Sequence, residues 1–181
     1  MNPHVLESIL NAQKHFCMLL KADRCSVGTG AAEKEFVPGQ FVLVCEKPSK
    51  TYRKASIRSI FTDLATQETF VVVEWLFGKE DLACLKELHG PVKSCQELQN
   101  LLGPHELLRT NATSCISSSD LEDHLTIHKY LDTSPEFLAG HYQNCWYYRM
   151  ELHFIGNQFS SADLRVSIAE DVFPPLISIY L

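Results

Sequence analysis

Between Phe36 and Phe77 the chain sets down three β-type segments in close succession, FVPGQFVLVCE, ASIRSIFTDL and TQETFVVVEWLF. Turn-forming residues separate them. Pro38-Gly39 makes a turn ahead of the run Phe41-Val42-Leu43-Val44, and the third segment is reached through the polar turn Thr66-Gln67-Glu68. In the second, Ile57, Ser59 and Phe61 alternate with period two, the spacing that places side chains on one face of a strand. Strands this close together predict a β-dominated barrel or sandwich.

The flanks add helical pieces. Val5, Ile9, Leu10, Phe16, Leu19 and Leu20 recur roughly at helical spacing, so the first 22 residues read as an amphipathic helix, ended by the loop DRCSVGTGAAEKE. Over residues 79–104, KEDLACLKELHG predicts a short helix and SCQELQNLLGP another helical turn, closed by Gly103-Pro104. HELLRTN reads as a short strand, Ser119-Asp120 as a turn and LTIHKYL as a further strand. NCWYYRMELHFI predicts the last strand, with Trp146, Tyr148, Met150 and Leu152 on one side. The final stretch, SSADLRVSIAEDVFPPLISIYL, reads as loop and then apolar, with Pro174-Pro175 blocking a helix.

Composition narrows the function classes. A hydrophobic fraction of 45% provides for a packed core. The net charge of −6 repels phosphate backbones and suits basic partners. Nucleic acid is thus a secondary partner at most, through the local basic stretch Lys47, Lys50, Arg53, Lys54 and Arg58. Seven cysteines, an odd number with no CxxC pair, predict free thiols in a reducing compartment rather than a disulfide framework or zinc knuckle. No apolar run approaches the roughly 20 residues that span a bilayer, and no basic-then-apolar leader opens the chain, so the expectation is an intracellular protein without a membrane partner. His124 and His128 lack the glutamate of a zinc-protease motif, Cys145 and His141 lack an oxyanion-type glycine context, and GTGAAEK lacks the ending of a phosphate-binding loop. No enzymatic activity, metal site or cofactor is expected.

Five pieces in order resemble the bromo-adjacent homology (BAH) domain family of chromatin modules. Gly39-Gln40-Phe41-Val42-Leu43-Val44 is similar to the family's opening strand, G-D/Q-F-V-L-V. TYRKASIRSIFTD resembles Y-x-A-x-I-x-x-I-F-x-D with a small shift, through Tyr52, Ile57, Ile60, Phe61 and Asp63. VEWLFGKED answers the hallmark V-x-W-F-Y-R-P-E-D with Trp75, Phe77, Glu80 and Asp81, while Gly78-Lys79 replace its Arg-Pro. ELLRTNATSCISSSDL aligns with E-L-F-L-S-x-x-x-D-x-I-P-x-x-S-I, with Ala112 and Ser114 where histone-reading members often carry His and Asp, and Ser117 for Pro. WYYRMEL answers F-F-C-R-Y-E-Y with Arg149 and Glu151. The resemblance covers residues 36–155, preceded by an N-terminal helix and loop over 1–35 and followed by an extension over 156–181 that clads the barrel or docks a partner.

That resemblance implies a partly open, mainly β barrel with short helical insertions, and a nuclear, non-catalytic role in chromatin. In members that read methylated lysine, Tyr52, Trp75 and Phe77 would form an aromatic cage, its ring faces holding a weakly hydrated trimethylammonium by cation–π attraction. Glu80 or Asp81 would add an acidic side. Glu106, Leu108, Thr110, Asn111 and Ser114 would line a groove that pairs with an extended histone H3 tail by backbone hydrogen bonds. The reader implied is one for histone H3 trimethylated at lysine 27, acting in transcriptional silencing. The alternative is a structural module of a chromatin or replication complex that binds other subunits, with the same aromatics buried as core.

Overall fold

The computed structural model describes residues 19–47, 49–90, 92, 94–129, 145–155 and 161–166. The fold is mainly β, and the described residues hold one α-helix. The chain divides into two compact units, Met1–Trp75 with Thr113–Leu125, and Leu76–Ala112 with Thr126–Leu181.

In the first unit the strands are β1 (Leu19–Ala22), β2 (Cys25–Val27), β3 (Lys34–Phe36), β4 (Phe41–Glu46), β5 (Thr51–Asp63), β6 (Thr69–Phe77), the later part of β8 (Glu106–Ser117) and β9 (Leu121–Leu125). β5 organises this sheet. Its first half pairs antiparallel with β4, from Phe41↔Ser56 to Glu46↔Thr51, and its last four residues pair antiparallel with β1, from Ala22↔Ile60 to Leu19↔Asp63. The turn that precedes β4 fills the gap between these partners. Gly39 N–H donates to the Ile57 carbonyl at 2.8 Å, and Ile57 N–H donates to the Gln40 carbonyl at 2.9 Å. Gly39 does this at φ 91°, a conformation that a residue without Cβ adopts readily. β6 lies on the other side of β5, and β9 pairs antiparallel with β4, with an irregularity between Leu43 and Val44. Phe36, Val42, Val44, Ile57, Ile60, Val71 and Val73 are buried from solvent almost completely.

β9 is the end strand of this sheet, and β2 and β3 form a separate antiparallel hairpin. From that hairpin Lys34 Nζ donates to the Glu122 carbonyl at 2.9 Å and lies 3.1 Å from the Asp123 carboxylate, while the Phe36 and His124 rings stack 4.5 Å apart. A lysine on an edge carbonyl occupies a hydrogen-bonding position that another strand could use.

In the second unit, β11 (Trp146–Phe154) is central. It pairs parallel with β8, from Tyr147↔Glu106 to Leu152↔Thr110, and antiparallel with β12 (Ser161–Val166); β10 (Ile127–Lys129) joins its start in parallel. β7 (Glu87–His89) pairs parallel with β12. Helix α1 (Cys95–Leu101) begins where the Ser94 hydroxyl accepts the Glu97 N–H, buries Leu98, and stops before Gly103-Pro104. Serine with glutamate three residues on is the signature of a helix start.

Several expectations are corrected. Of the N-terminal helix, Leu19–Ala22 form strand β1, because the end of β5 offers them an open ladder; residues 1–18 lie outside the described set. KEDLACLKELHG holds only a 3₁₀ turn at Glu80–Cys84, and its Glu87–His89 part is drawn into pairing with β12. SADLRV is not loop but β12, with Ala162 and Leu164 buried at alternate positions. HELLRTN extends well beyond a short strand, to Ser117. In β11 the predicted one-sided face gives way to burial of Tyr147 as well as Tyr148, Met150 and Leu152, since β8 and β12 flank the strand and its register with β8 shifts between Tyr148 and Met150. Pro174-Pro175 and Tyr130-Leu131, the end of the predicted LTIHKYL strand, lie outside the described residues.

The hydrogen bond from Lys34, followed by the backbone N–H of His124, holds the Asp123 carboxyl below the usual carboxylate range. A group depressed in the folded state contributes stability at pH above its unfolded value and loses it as pH falls through the lower folded value. Lys34→Met is therefore expected to move the Asp123 midpoint upward in a carboxylate NMR titration. An unmoved midpoint would contradict the contact.

Candidate functional site

Trp75, the residue on which the implied cage depends, is fixed from two directions. Its indole Nε1–H donates to the Ser114 hydroxyl at 2.9 Å, and the guanidinium carbon of Arg53 lies 4.4 Å from its ring centroid. Arg53 Nη1 also lies 3.2 Å from Glu46 Oε1. The ring face thus holds a cation from its own chain, with a carboxylate as counter-charge, and Trp75 is only 5% exposed.

The β4–β5 ladder explains why arginine, not tyrosine, reaches the indole. The register Val44↔Arg53, Cys45↔Tyr52 and Glu46↔Thr51 is unbroken. Successive residues of a strand leave opposite faces, so Arg53 and Tyr52 point apart. Tyr52 is 57% exposed, and its phenol pKa is raised, first by the negative charge of a Cys45 thiolate and then by Glu122. In the resembling pattern Y-x-A-x-I-x-x-I-F-x-D, a gapless match on Ala55, Ile57, Ile60, Phe61 and Asp63 puts Arg53 at the tyrosine position. The shift of one residue that brings Tyr52 into the pattern is a change of face. Anchoring on Ala55 without a shift was the available signal.

In the second unit Phe77 is 4% exposed and packs on Phe154, the ring centroids 5.3 Å apart. The Asp81 carboxylate accepts the Gly78 N–H at 2.8 Å while Asp81 N–H donates back to the Gly78 carbonyl at 3.2 Å, so this acid closes a turn. Glu80 is exposed, and its carboxylate lies 2.8 Å from where a Cβ on residue 78 would stand, a contact that this flexible side chain could relieve by moving.

The implied groove residues also divide. Glu106, Leu108 and Thr110 are buried. Glu106 Oε2 accepts the Gly103 N–H at 3.1 Å and lies 3.5 Å from the Tyr147 hydroxyl, and Thr110 Oγ1 accepts the Ala112 N–H at 3.0 Å. These three build the unit rather than line an open groove. Asn111 is exposed, and its amide pairs with the main chain of Phe154, accepting its N–H at 2.8 Å and donating to its carbonyl at 3.2 Å. Ser114, partly exposed, supports Trp75. The basic stretch is largely neutralised in place. Lys47 lies 3.4 Å from Asp120, Arg53 pairs with Glu46, and Arg58 lies 3.6 Å from the buried Glu74.

No family model and no curated protein matches the chain. Among solved structures, the yeast Rsc2 BAH domain is similar, with a TM-score of 0.48 and 10% identity over 74% of this chain. The chain spans about half of that structure, 51%.

Two outcomes check this description. Cys45→Ala removes the main cause of the raised Tyr52 phenol pKa, so Tyr52 is expected to titrate at lower pH, followed by NMR of labelled tyrosine. Glu106→Ala leaves the Gly103 N–H and the Tyr147 hydroxyl without that acceptor in a buried setting and is expected to cost about 2 kcal/mol in urea unfolding. A loss well under about 0.5 kcal/mol would contradict a structural role for this carboxylate.

Proposed function

We propose that this chain is a non-catalytic, BAH-type interaction module of a nuclear chromatin complex that engages its partners through protein surfaces without caging a methylated lysine. The module reading draws on the five ordered motifs across residues 36–155. The observation that carries it against the reader reading is the Arg53 guanidinium on the Trp75 ring. A second cation on that face meets a like charge and must displace the first. The burial of Trp75 and Phe77 supports the same reading, because a cage needs ring faces open to solvent. The partner surface is basic, as the net charge of −6 favours, with histone H3 tails and subunits of chromatin complexes as the candidates. Thr113, Cys115 and Ser117 carry exposed side chains along β8, and this stretch is the one proposed for pairing with an extended tail.

The second reading is a reader of histone H3 trimethylated at lysine 27, acting in silencing. Here Tyr52, Trp75 and Phe77 form the cage, Glu80 and Asp81 its acidic side, and Glu106 to Ser114 the groove. The hallmark segment VEWLFGKED favours it.

The test is titration of the protein against methylated and unmethylated histone peptides, with Trp75→Ala alongside and its folding checked by circular dichroism. Binding indifferent to methylation, or absent, is the expected result. Saturable binding to one trimethylated peptide, lost in a folded Trp75→Ala, would overturn the module reading and establish the reader.

A further inference from the structure

We propose that the β7, β12 and β11 end of the second unit binds a divalent transition-metal ion on its solvent face, through His89, Asp163 and His153. These residues come from three separate strands, and register alone brings them together. Asp163 of β12 is the partner of His89 in the parallel pairing with β7 and of His153 in the antiparallel pairing with β11. The row therefore reads His-Asp-His across three adjacent strands. It lies on the face opposite the core, because the alternate residues of β12 and β11, Ala162, Leu164, Leu152 and Phe154, are buried. His89 is exposed and His153 partly so. The site is separate from Trp75 and does not depend on the module reading.

Three features carry the proposal. The first is spacing. β7 and β11 stand two strand spacings apart, roughly 10 Å, a gap that two imidazoles and two metal–nitrogen bonds of about 2 Å can span. Register sets Asp163, a residue type with oxygen donors, midway between them. The second is orientation. His153 Nε2 lies 3.2 Å from Glu151 Oε2, and a carboxylate at one ring nitrogen keeps the proton there and leaves the lone pair on Nδ1 for an ion. Glu151 itself stands in register between Arg165 and Arg109, whose charges favour it as a hydrogen-bond acceptor over a ligand. The third is a fixed backbone. Gly90 follows His89 at φ 120°, and a Cβ there would meet the Leu164 carbonyl oxygen at 2.8 Å, so the chain leaving β7 runs close against β12.

Among the described side chains no three ligands already converge. The sheet supplies the spacing, and rotation of two surface imidazoles completes the set. Two imidazoles and a carboxylate suit Zn²⁺, with water in the fourth position. Mg²⁺, which keeps its own waters and prefers oxygen ligands, gains little there. A bound ion ties the three-residue strand β7 to β11 and raises stability by mass action.

The experiment titrates the full chain, isotope-labelled at histidine, with Zn²⁺ alone and separately with Mg²⁺, following the ring resonances by NMR and the melting temperature alongside. The His89 and His153 rings are expected to respond together, saturating at one shared ion, with a raised melting temperature and no response to Mg²⁺. His89→Ala, at an exposed position, is expected to weaken the His153 response about tenfold or more, and Asp163→Ala to weaken both responses similarly. Glu151→Gln, which acts only through His153, is expected to cost about tenfold in affinity. Circular dichroism verifies the fold of each variant. Rings that do not respond, or an affinity unchanged in Asp163→Ala, would overturn the site. A His153 response that survives His89→Ala unchanged would also overturn it, as the mark of an adventitious ion only.

Discussion

Strand β5 carries more of this structure than any other element, because it is longer than either partner on its shared edge. Thr51–Ser56 are matched by β4 and Ile60–Asp63 by β1. A strand with two successive partners on one edge leaves backbone groups unpaired where they meet, and buried unpaired groups are costly. Here the Pro38-Gly39 turn supplies the missing bonds at Ile57, so the entry of the chain into β4 and the continuity of the β5 ladder are one event. The placement of Cys45, Glu46, Tyr52 and Arg53 follows from that register.

Register also decides the character of the candidate site. Side chains alternate across a strand, so a displacement of one residue exchanges one face for the other. Tyr52 and Arg53 differ by that single step. The face toward Trp75 receives a guanidinium and its Glu46 partner, and the phenol goes to the side of Cys45. The indole is thereby paired with a cation of its own chain. An aromatic ring under an intramolecular cation has its electrostatic preference met without exposing apolar surface.

The elements readable in the sequence were those whose local signals agree with their surroundings. β4, β5 and β6 combine β-branched or aromatic runs with turn residues at their ends, and α1 combines a serine start, a glutamate three residues later and a Gly-Pro stop. β1, β7 and β12 are three to six residues long, and their pairing is decided by partners distant in sequence. Leu19–Ala22 continue an apolar spacing that suits a helix equally well, and the open end of β5 decides the matter. In the candidate site Trp75 was recognisable from its motif, and its neighbour only through the gapless match anchored on Ala55, which sets Arg53 at the tyrosine position; the match made with a small shift hid it. The burial of Glu106 was likewise hidden, because a carboxylate in a strand reads as solvated until Gly103 and Tyr147 are seen around it.

The sequence by itself determined the mainly β class, the central strands, the start and stop of the helix, the acidic balance and the position of the tryptophan motif. These are properties of residue type and local spacing, and they hold whatever the chain packs against. Only the tertiary structure decided which edges the short strands complete, which acids are buried, and which of two adjacent side chains meets Trp75. Those outcomes depend on register between strands distant in the chain, where one residue of displacement replaces a tyrosine with an arginine.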